Sequence, residues 1–183
     1  MKIAMMGTGY VGLVTGTLLA DRGNRVTCID KNPAVIEQLH AGHVHIFEPG
    51  LERILRVCEE RGDLAFTTDC TSAVVNADVI FLAVGTPSDA DGSFNLTTLK
   101  AAAGDVGRAL RHATGFKVVI GKSTVPQGTW RILSDIINRE IGDNSSVEWA
   151  YVANPETLAE GTAVRDFSKP DRVLVGTTSD RAF

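Results

Sequence analysis

Lys2-Ile3-Ala4-Met5-Met6-Gly7-Thr8-Gly9-Tyr10-Val11-Gly12-Leu13 decides the fold, because a short apolar run passes directly into glycines at positions 7, 9 and 12. Lys2 to Met6 reads as a strand and Val11 to Arg22 as a helix, closed by Gly23 just past the helix end, where a positive φ costs glycine little. In that context the G-x-G-x-x-G spacing has a mechanism. Gly7 permits the tight turn, Gly9 removes the side chain that would block a pyrophosphate, and Gly12 lets helix and strand pack closely. The pyrophosphate then meets the free amides and positive end of the helix. Arg25 to Ile29 reads as the next strand, and Asp30 ends it 18 residues after Gly12, where a carboxylate can accept from the adenosine ribose hydroxyls. Such a carboxylate repels a 2′-phosphate, which selects NAD, whereas the neighbouring Lys31 points toward NADP. NAD is the expected cofactor.

Working outward, short runs rich in Val, Ile and Ala alternate with longer segments of helical period. Further strands are expected at Leu64 to Thr67, Val79 to Val84, Lys117 to Gly121, Glu148 to Ala153 and Arg172 to Gly176. Helices are expected from Asn32-Pro33 onward and over Gly50 to Arg61, Leu96 to His112 and Gly128 to Glu140. The alternation implies a Rossmann-like α/β fold, a doubly wound, mainly parallel sheet with helices on both faces, with residues 1–183 forming one NAD-binding domain. The polar run Ser88 to Ser93 follows a strand and should lie at the carboxyl edge of the sheet, where such folds bind ligands.

Composition narrows the alternatives. The chain has 183 residues, 44% hydrophobic, 22% charged and 6% aromatic, which fits a globular α/β protein with an aliphatic core. A net charge of -4, with no basic run, argues against a nucleic-acid partner. No leader pattern and no stretch of about 18 apolar residues is present, so a cytoplasmic protein without a membrane partner is expected. Cys28, Cys58 and Cys70 lack metal-ligand spacing and read as core or surface thiols. His40, His43, His45 and His112 read as surface histidines, and no metal site is expected. Trp130 and Trp149 read as packing residues.

Five stretches carry more than a generic pattern: Gly7 to Leu13, Phe47-Glu48-Pro49-Gly50-Leu51, Val84-Gly85-Thr86-Pro87, Lys122-Ser123-Thr124-Val125-Pro126 and Asn154-Pro155-Glu156. In this order, and with Asp166 to Val173 closing the series, they resemble the UDP-glucose/GDP-mannose dehydrogenase family over essentially the whole chain. The resemblance implies oxidation of the C6 hydroxyl of a nucleotide sugar to a carboxylate in two NAD-dependent steps, through an aldehyde-level species and a thioester on a cysteine. It also implies that this cysteine, a substrate-contacting lysine, a dimer-forming helix and a second nucleotide-binding domain belong to later segments. The chain is then expected to bind NAD without turnover, as part of a longer, homodimeric parent.

Residue by residue, the resemblance matches Gly7, Gly9, Tyr10, Val11 and Asp30 to the cofactor loop and its acid, with Gly12 closing the glycine pattern and Lys31 as the candidate substitute for the family's nearby basic residue. It matches Gly85, Thr86 and Pro87 to the turn on the adenosine-ribose side, and Ser123 and Thr124 to the nicotinamide half. Thr124 is expected to help order the catalytic water, although Ser-Thr-Val-Pro on its own could simply cap a turn. Glu156 matches a general base or water-positioning group, where a carboxylate in a partly dry cleft has its pKa raised into a useful range. Without the surrounding motif it would read as a solvated loop carboxylate. Glu156, Thr157, Leu158, Ala159 and Glu160 match the sugar-contacting stretch, with Glu160 also near the nicotinamide. Thr157 stands where the family usually has Phe, and Val35 where it commonly has a basic residue. The Leu158-Ala159-Glu160-Gly161 run favours UDP-glucose over N-acetylated sugars, with GDP-mannose or another nucleotide sugar as the competing substrate, and a non-catalytic NAD-binding module as the competing role.

Overall fold

The structure is a computed structural model that describes residues 1–143 and 145–182. Its strands are β1 (Lys2–Met6), β2 (Arg25–Ile29), β3 (Leu64–Thr67), β4 (Val79–Leu82), β5 (Phe116–Gly121), β6 (Glu148–Ala153) and β7 (Gly176–Thr177). Its helices are α1 (Tyr10–Asp21), α2 (Pro33–His40), α3 (Leu51–Glu60), α4 (Cys70–Asn76), α5 (Thr97–Leu110), α6 (Thr129–Ile141) and α7 (Ala163–Ser168). The strands form one sheet in the order β3-β2-β1-β4-β5-β6-β7, parallel except for β7 at the edge. The strand order reverses between β1 and β4, which opens a crevice at their carboxyl ends.

Both faces of the sheet are covered, so its central strands are apolar without alternation. In β1 the residues Ile3 to Met6 are all buried. They divide by the two-residue period of a strand: Ile3 and Met5 join a cluster with Leu13, Leu39 and Leu55, while Ala4 and Met6 join one with Leu99, Val106 and Leu133. The first cluster is the layer of α1, α2 and α3, and the second the layer of α5 and α6. Close helix approach in the second layer depends on Gly107, where a Cβ would lie 2.7 Å from the Glu140 Cβ and 2.9 Å from the Ile137 carbonyl oxygen.

The expected helices and strands are present with small shifts of their ends, with one displaced strand and two additional helices. A strand over Arg172 to Gly176 was expected from its apolar run, but pairing begins only at Gly176, which faces Ala153 while Thr177 faces Val152. Continuing that antiparallel register would set Leu174 opposite Pro155, which has no amide to donate. Instead, the Asn154 side chain donates to the Leu174 carbonyl at 2.8 Å, and Val173, Leu174 and Val175 are exposed. The additional helices, α4 and α7, are only 7 and 6 residues long, too short for apolar periodicity to reveal. Asp69 caps α4 by accepting from the Ser72 amide at 3.0 Å. At the other end of α4, the buried Lys117 donates to the carbonyls of Val75 and Ala77 at 2.9 and 2.6 Å.

Candidate functional site

The glycine loop is built by contact. Gly7 has φ 99°, and a Cβ there would sit 2.8 Å from the Ala83 carbonyl oxygen, so the turn between β1 and α1 admits only glycine. At Gly12 a Cβ would lie 2.1 Å from the Gly7 carbonyl oxygen, which presses the first turn of α1 onto the loop. Gly9 differs, because nothing lies within 4 Å of its Cβ position. Open space stands above Gly9 at the start of α1. Among the described residues no side chain caps that helix and no acid occupies its first turn. Its amides and positive end are therefore free for an anion.

Beside the loop is a cavity of about 440 Å³, lined by Gly7, Gly9, Asp30, Lys31, Cys70 and Gly85, among others. Asp30 ends β2 on this wall. Its Oδ2 accepts from the Thr8 hydroxyl at 2.7 Å and the Thr8 amide at 3.2 Å, and its Oδ1 accepts from the Asn32 amide at 3.0 Å. Burial pushes the Asp30 carboxyl up, but these donors outweigh it and hold the group below its ordinary value. A carboxylate offers about four acceptor positions, so three bonds leave one for a ligand. Gly9 over open space, the free end of α1 and the Asp30 carboxylate fit a dinucleotide: pyrophosphate on α1 and adenosine ribose toward Asp30.

The other expected residues continue along the carboxyl edge. The Thr86 hydroxyl donates to the Thr124 carbonyl at 2.8 Å and the Ser123 hydroxyl to the Val84 carbonyl at 2.6 Å, which laces the turns after β4 and β5 together. Gly85, Pro87 and Thr124 are exposed there. Beyond β6, Glu156 is half-buried and accepts the Leu158 amide at 2.6 Å through Oε2, closing a turn of its own loop. Thr157, Ala159 and Glu160 are exposed, and Leu158 packs toward Val14, Leu18 and Leu51.

Three residues of this region had no role assigned from the sequence. Thr8 is fully buried as the partner of Asp30. Lys122, 7% exposed, donates to Asn154 Oδ1 at 3.2 Å. Burial lowers its pKa, and the Glu156 carboxylate acts in the opposite direction. Glu48, 6% exposed, accepts through Oε2 from the Tyr10 hydroxyl and from the Gly161 amide at 2.8 Å, and through Oε1 from the Val164 amide at 3.3 Å. The Phe47 to Leu51 run was visible in the sequence, but nothing in it signals that Glu48 points inward.

The remaining expectations can be placed. All four histidines are exposed, and no group of three or more His, Cys, Asp or Glu among the described residues could hold a metal. Cys28 and Cys58 are buried, and burial pushes the Cys28 thiol up to about 12. Trp149 packs against the core and donates to Asn138 at 3.0 Å, as a packing residue should. Trp130 is 38% exposed, with Arg131 stacked on its ring, and so packs less than expected. No helix among the described residues is long and apolar enough to cross a membrane.

A parallel βαβ unit with this glycine loop, an acid at the end of β2 and a crevice at the switch point defines a nicotinamide-dinucleotide-binding domain. The chain belongs to the UDP-glucose/GDP-mannose dehydrogenase family, whose NAD binding domain matches residues 1–183, and NAD is its cofactor. It is 45% identical over 177 residues to the UDP-glucose 6-dehydrogenase of Rhizobium meliloti, an alignment covering 96% of this chain and 39% of that protein. The UDP-glucose dehydrogenase structure from Pyrobaculum islandicum superposes with a TM-score of 0.93 at 41% identity, covering 98% of this chain and 41% of that one. A ternary complex of GDP-mannose dehydrogenase from Pseudomonas aeruginosa superposes with a TM-score of 0.95 at 33% identity, covering 100% and 42%. The chain thus spans about two fifths of the length of these relatives.

Proposed function

We propose that residues 1–183 act as the NAD-binding domain of a nucleotide-sugar 6-dehydrogenase that oxidises UDP-glucose to UDP-glucuronate. The observation that carries this reading is the cavity between the glycine loop and Asp30, open above Gly9 and continuous in the sheet edge with the turns bearing Thr86 and Thr124. NAD, when bound, supplies the hydride acceptor for the two oxidation steps. Gly7, Gly9, Tyr10, Val11 and Gly12 receive its pyrophosphate, and Asp30 with Lys31 flanks the adenosine ribose. Gly85, Thr86, Pro87, Ser123, Thr124 and Glu160 line the path toward the nicotinamide.

In this reading Thr124 and Glu156 position and activate water. One carboxylate oxygen of Glu156 is engaged by the Leu158 amide, and no protein donor is found for the other among the described residues. The loop from Glu156 to Glu160 contacts the sugar. A thioester-forming cysteine comes from elsewhere in the parent, since Cys28 and Cys58 are buried and Cys70 lies on the cofactor cavity wall. UDP-glucose is favoured by the 45% identity to the Rhizobium meliloti enzyme. GDP-mannose is the second reading, supported by the TM-score of 0.95 to the Pseudomonas aeruginosa complex.

Calorimetric titration of this chain with NAD and NADP, then with UDP-glucose and GDP-mannose in the presence of the tighter cofactor, tests the proposal. NAD preference followed by a UDP-glucose response supports it. A response to GDP-mannose alone transfers the reading to that substrate, and failure to bind either dinucleotide by a folded chain overturns it.

A further inference from the structure

Glu48 brings together two regions that are far apart in the chain. Its carboxylate accepts from Tyr10, the first residue of α1, and from Gly161 and Val164 at the far end of the sequence. With its one proton on Glu48, the Tyr10 hydroxyl lies 3.3 Å from the Ala159 carbonyl oxygen and shares the Gly161 amide as a second acceptor at 3.2 Å. Burying a carboxylate is unfavourable unless donors surround it, and here they come from three places. The donors outweigh burial, so the group remains ionised below its ordinary range. Gly50, at φ 84°, and Pro49 turn the chain immediately after Glu48, and the buried Leu51 starts α3 against α1. The acid is thereby fixed on a rigid corner while Gly161, with φ 88°, lies in an exposed loop.

We infer that Glu48 is a positioning residue that couples the cofactor end of α1, through Tyr10, to the 159–164 segment following Glu156. The inference rests on the proposed reading that the first turn of α1 receives the cofactor pyrophosphate. A ligand seated there restrains Tyr10, and the shared carboxylate passes the restraint to the amides of Gly161 and Val164. The sugar-contacting loop thus becomes ordered when cofactor is bound. The simpler role for Glu48, capping the start of α7, needs the two amides but not Tyr10.

ADP-ribose separates coupling from direct contact, because it carries the adenosine, pyrophosphate and ribose but no nicotinamide that could touch Glu160. Amide hydrogen exchange of 157–166 is measured on this chain with and without saturating ADP-ribose. In the unsubstituted chain, the ligand is expected to slow exchange at Gly161 and Val164 by about 5-fold or more, the lower end of typical coupling between sites. Glu48→Gln should abolish that slowing. Tyr10→Phe keeps the carboxylate and both amide bonds, so it should preserve the slow exchange of free α7 yet lose the response to ligand. A persistent response in folded Glu48→Gln overturns the coupling. If Glu48→Gln does not fold, Tyr10→Phe decides alone: a retained response leaves only a cap. Binding without any slowing in the unsubstituted chain also overturns the coupling, whereas absence of binding overturns the cofactor-loop reading on which it rests.

Discussion

Thr8 gives both its hydroxyl and its amide to a single oxygen of Asp30, at 2.7 and 3.2 Å, which fastens the end of β2 to the glycine loop. The acid expected to meet the ribose thus also holds the loop expected to meet the pyrophosphate. Asp30→Ala should weaken NAD by about 1.5 to 3 kcal/mol, the range for hydrogen bonds to a charged group. Thr8→Val should lower the thermal midpoint and weaken NAD less, because the carboxylate remains. Calorimetry on both variants checks the order, and unchanged NAD affinity in Asp30→Ala would mean that another acid faces the ribose.

Gly9 and Gly12 should separate binding from folding. A methyl at Gly9 meets nothing within 4 Å, so Gly9→Ala should melt near the unsubstituted chain while losing NAD affinity to a clash with the pyrophosphate. At Gly12 the same methyl would lie 2.1 Å from the Gly7 carbonyl oxygen. Gly12→Ala should therefore cost at least the ~1–3 kcal/mol typical of overpacking before any ligand is added. Equal melting temperatures for the two variants would contradict this division.

The contrast between these glycines also explains what could be read from the sequence. Parallel strands buried on both faces leave continuous apolar runs, and the glycine spacing records close approaches between near neighbours in the chain, so β1, α1, β2 and the cofactor loop were legible. The family motifs offered Thr124 and Glu156 as candidates, but their contacts depend on how the turns after β5 and β6 lie. Glu48 was not legible as a buried acid, because its partners are Tyr10, 38 residues away, and Gly161, 113 residues away. A local pattern cannot distinguish a carboxylate with three distant donors from one in water. The expected strand at Arg172 to Gly176 failed for a related reason: its apolar character was visible, but Pro155, just past the end of the opposing strand β6, was not part of that pattern.

Acid should loosen the same two anchors. The folded chain holds Asp30 and Glu48 below their ordinary values of 3.8 and 4.5, so the unfolded chain binds protons first as pH falls. Their contribution to stability is complete above those ordinary values and is lost as pH drops through the lower folded ones. Glu59, raised by burial, acts in the opposite direction. Melting temperature should fall as pH drops below about 5, more shallowly in Glu48→Gln than in the unsubstituted chain. Parallel pH profiles for the two proteins would remove Glu48 from the acid transition.

Thr17 is a place where the sequence can be improved. It lies on α1 at 0% exposure, and among the described residues its hydroxyl has no hydrogen-bond partner, as is also true of Thr15. A buried hydroxyl without a partner carries its full desolvation cost, whereas Val has nearly the same shape and no polar atom. Thr17 is packed beside Cys58, whose thiol donates to the Thr17 backbone carbonyl at 3.9 Å, a contact that the side-chain change leaves alone. Thr17→Val should raise stability by up to about 1 to 3 kcal/mol, the cost of an unsatisfied buried group. Thr15 borders a second cavity of about 290 Å³ beneath the Glu156 loop, where water can reach nearby polar groups, so Thr15→Val should gain less. Denaturant melts of the two variants test this ranking, and destabilisation of Thr17→Val would show that its hydroxyl is satisfied in solution.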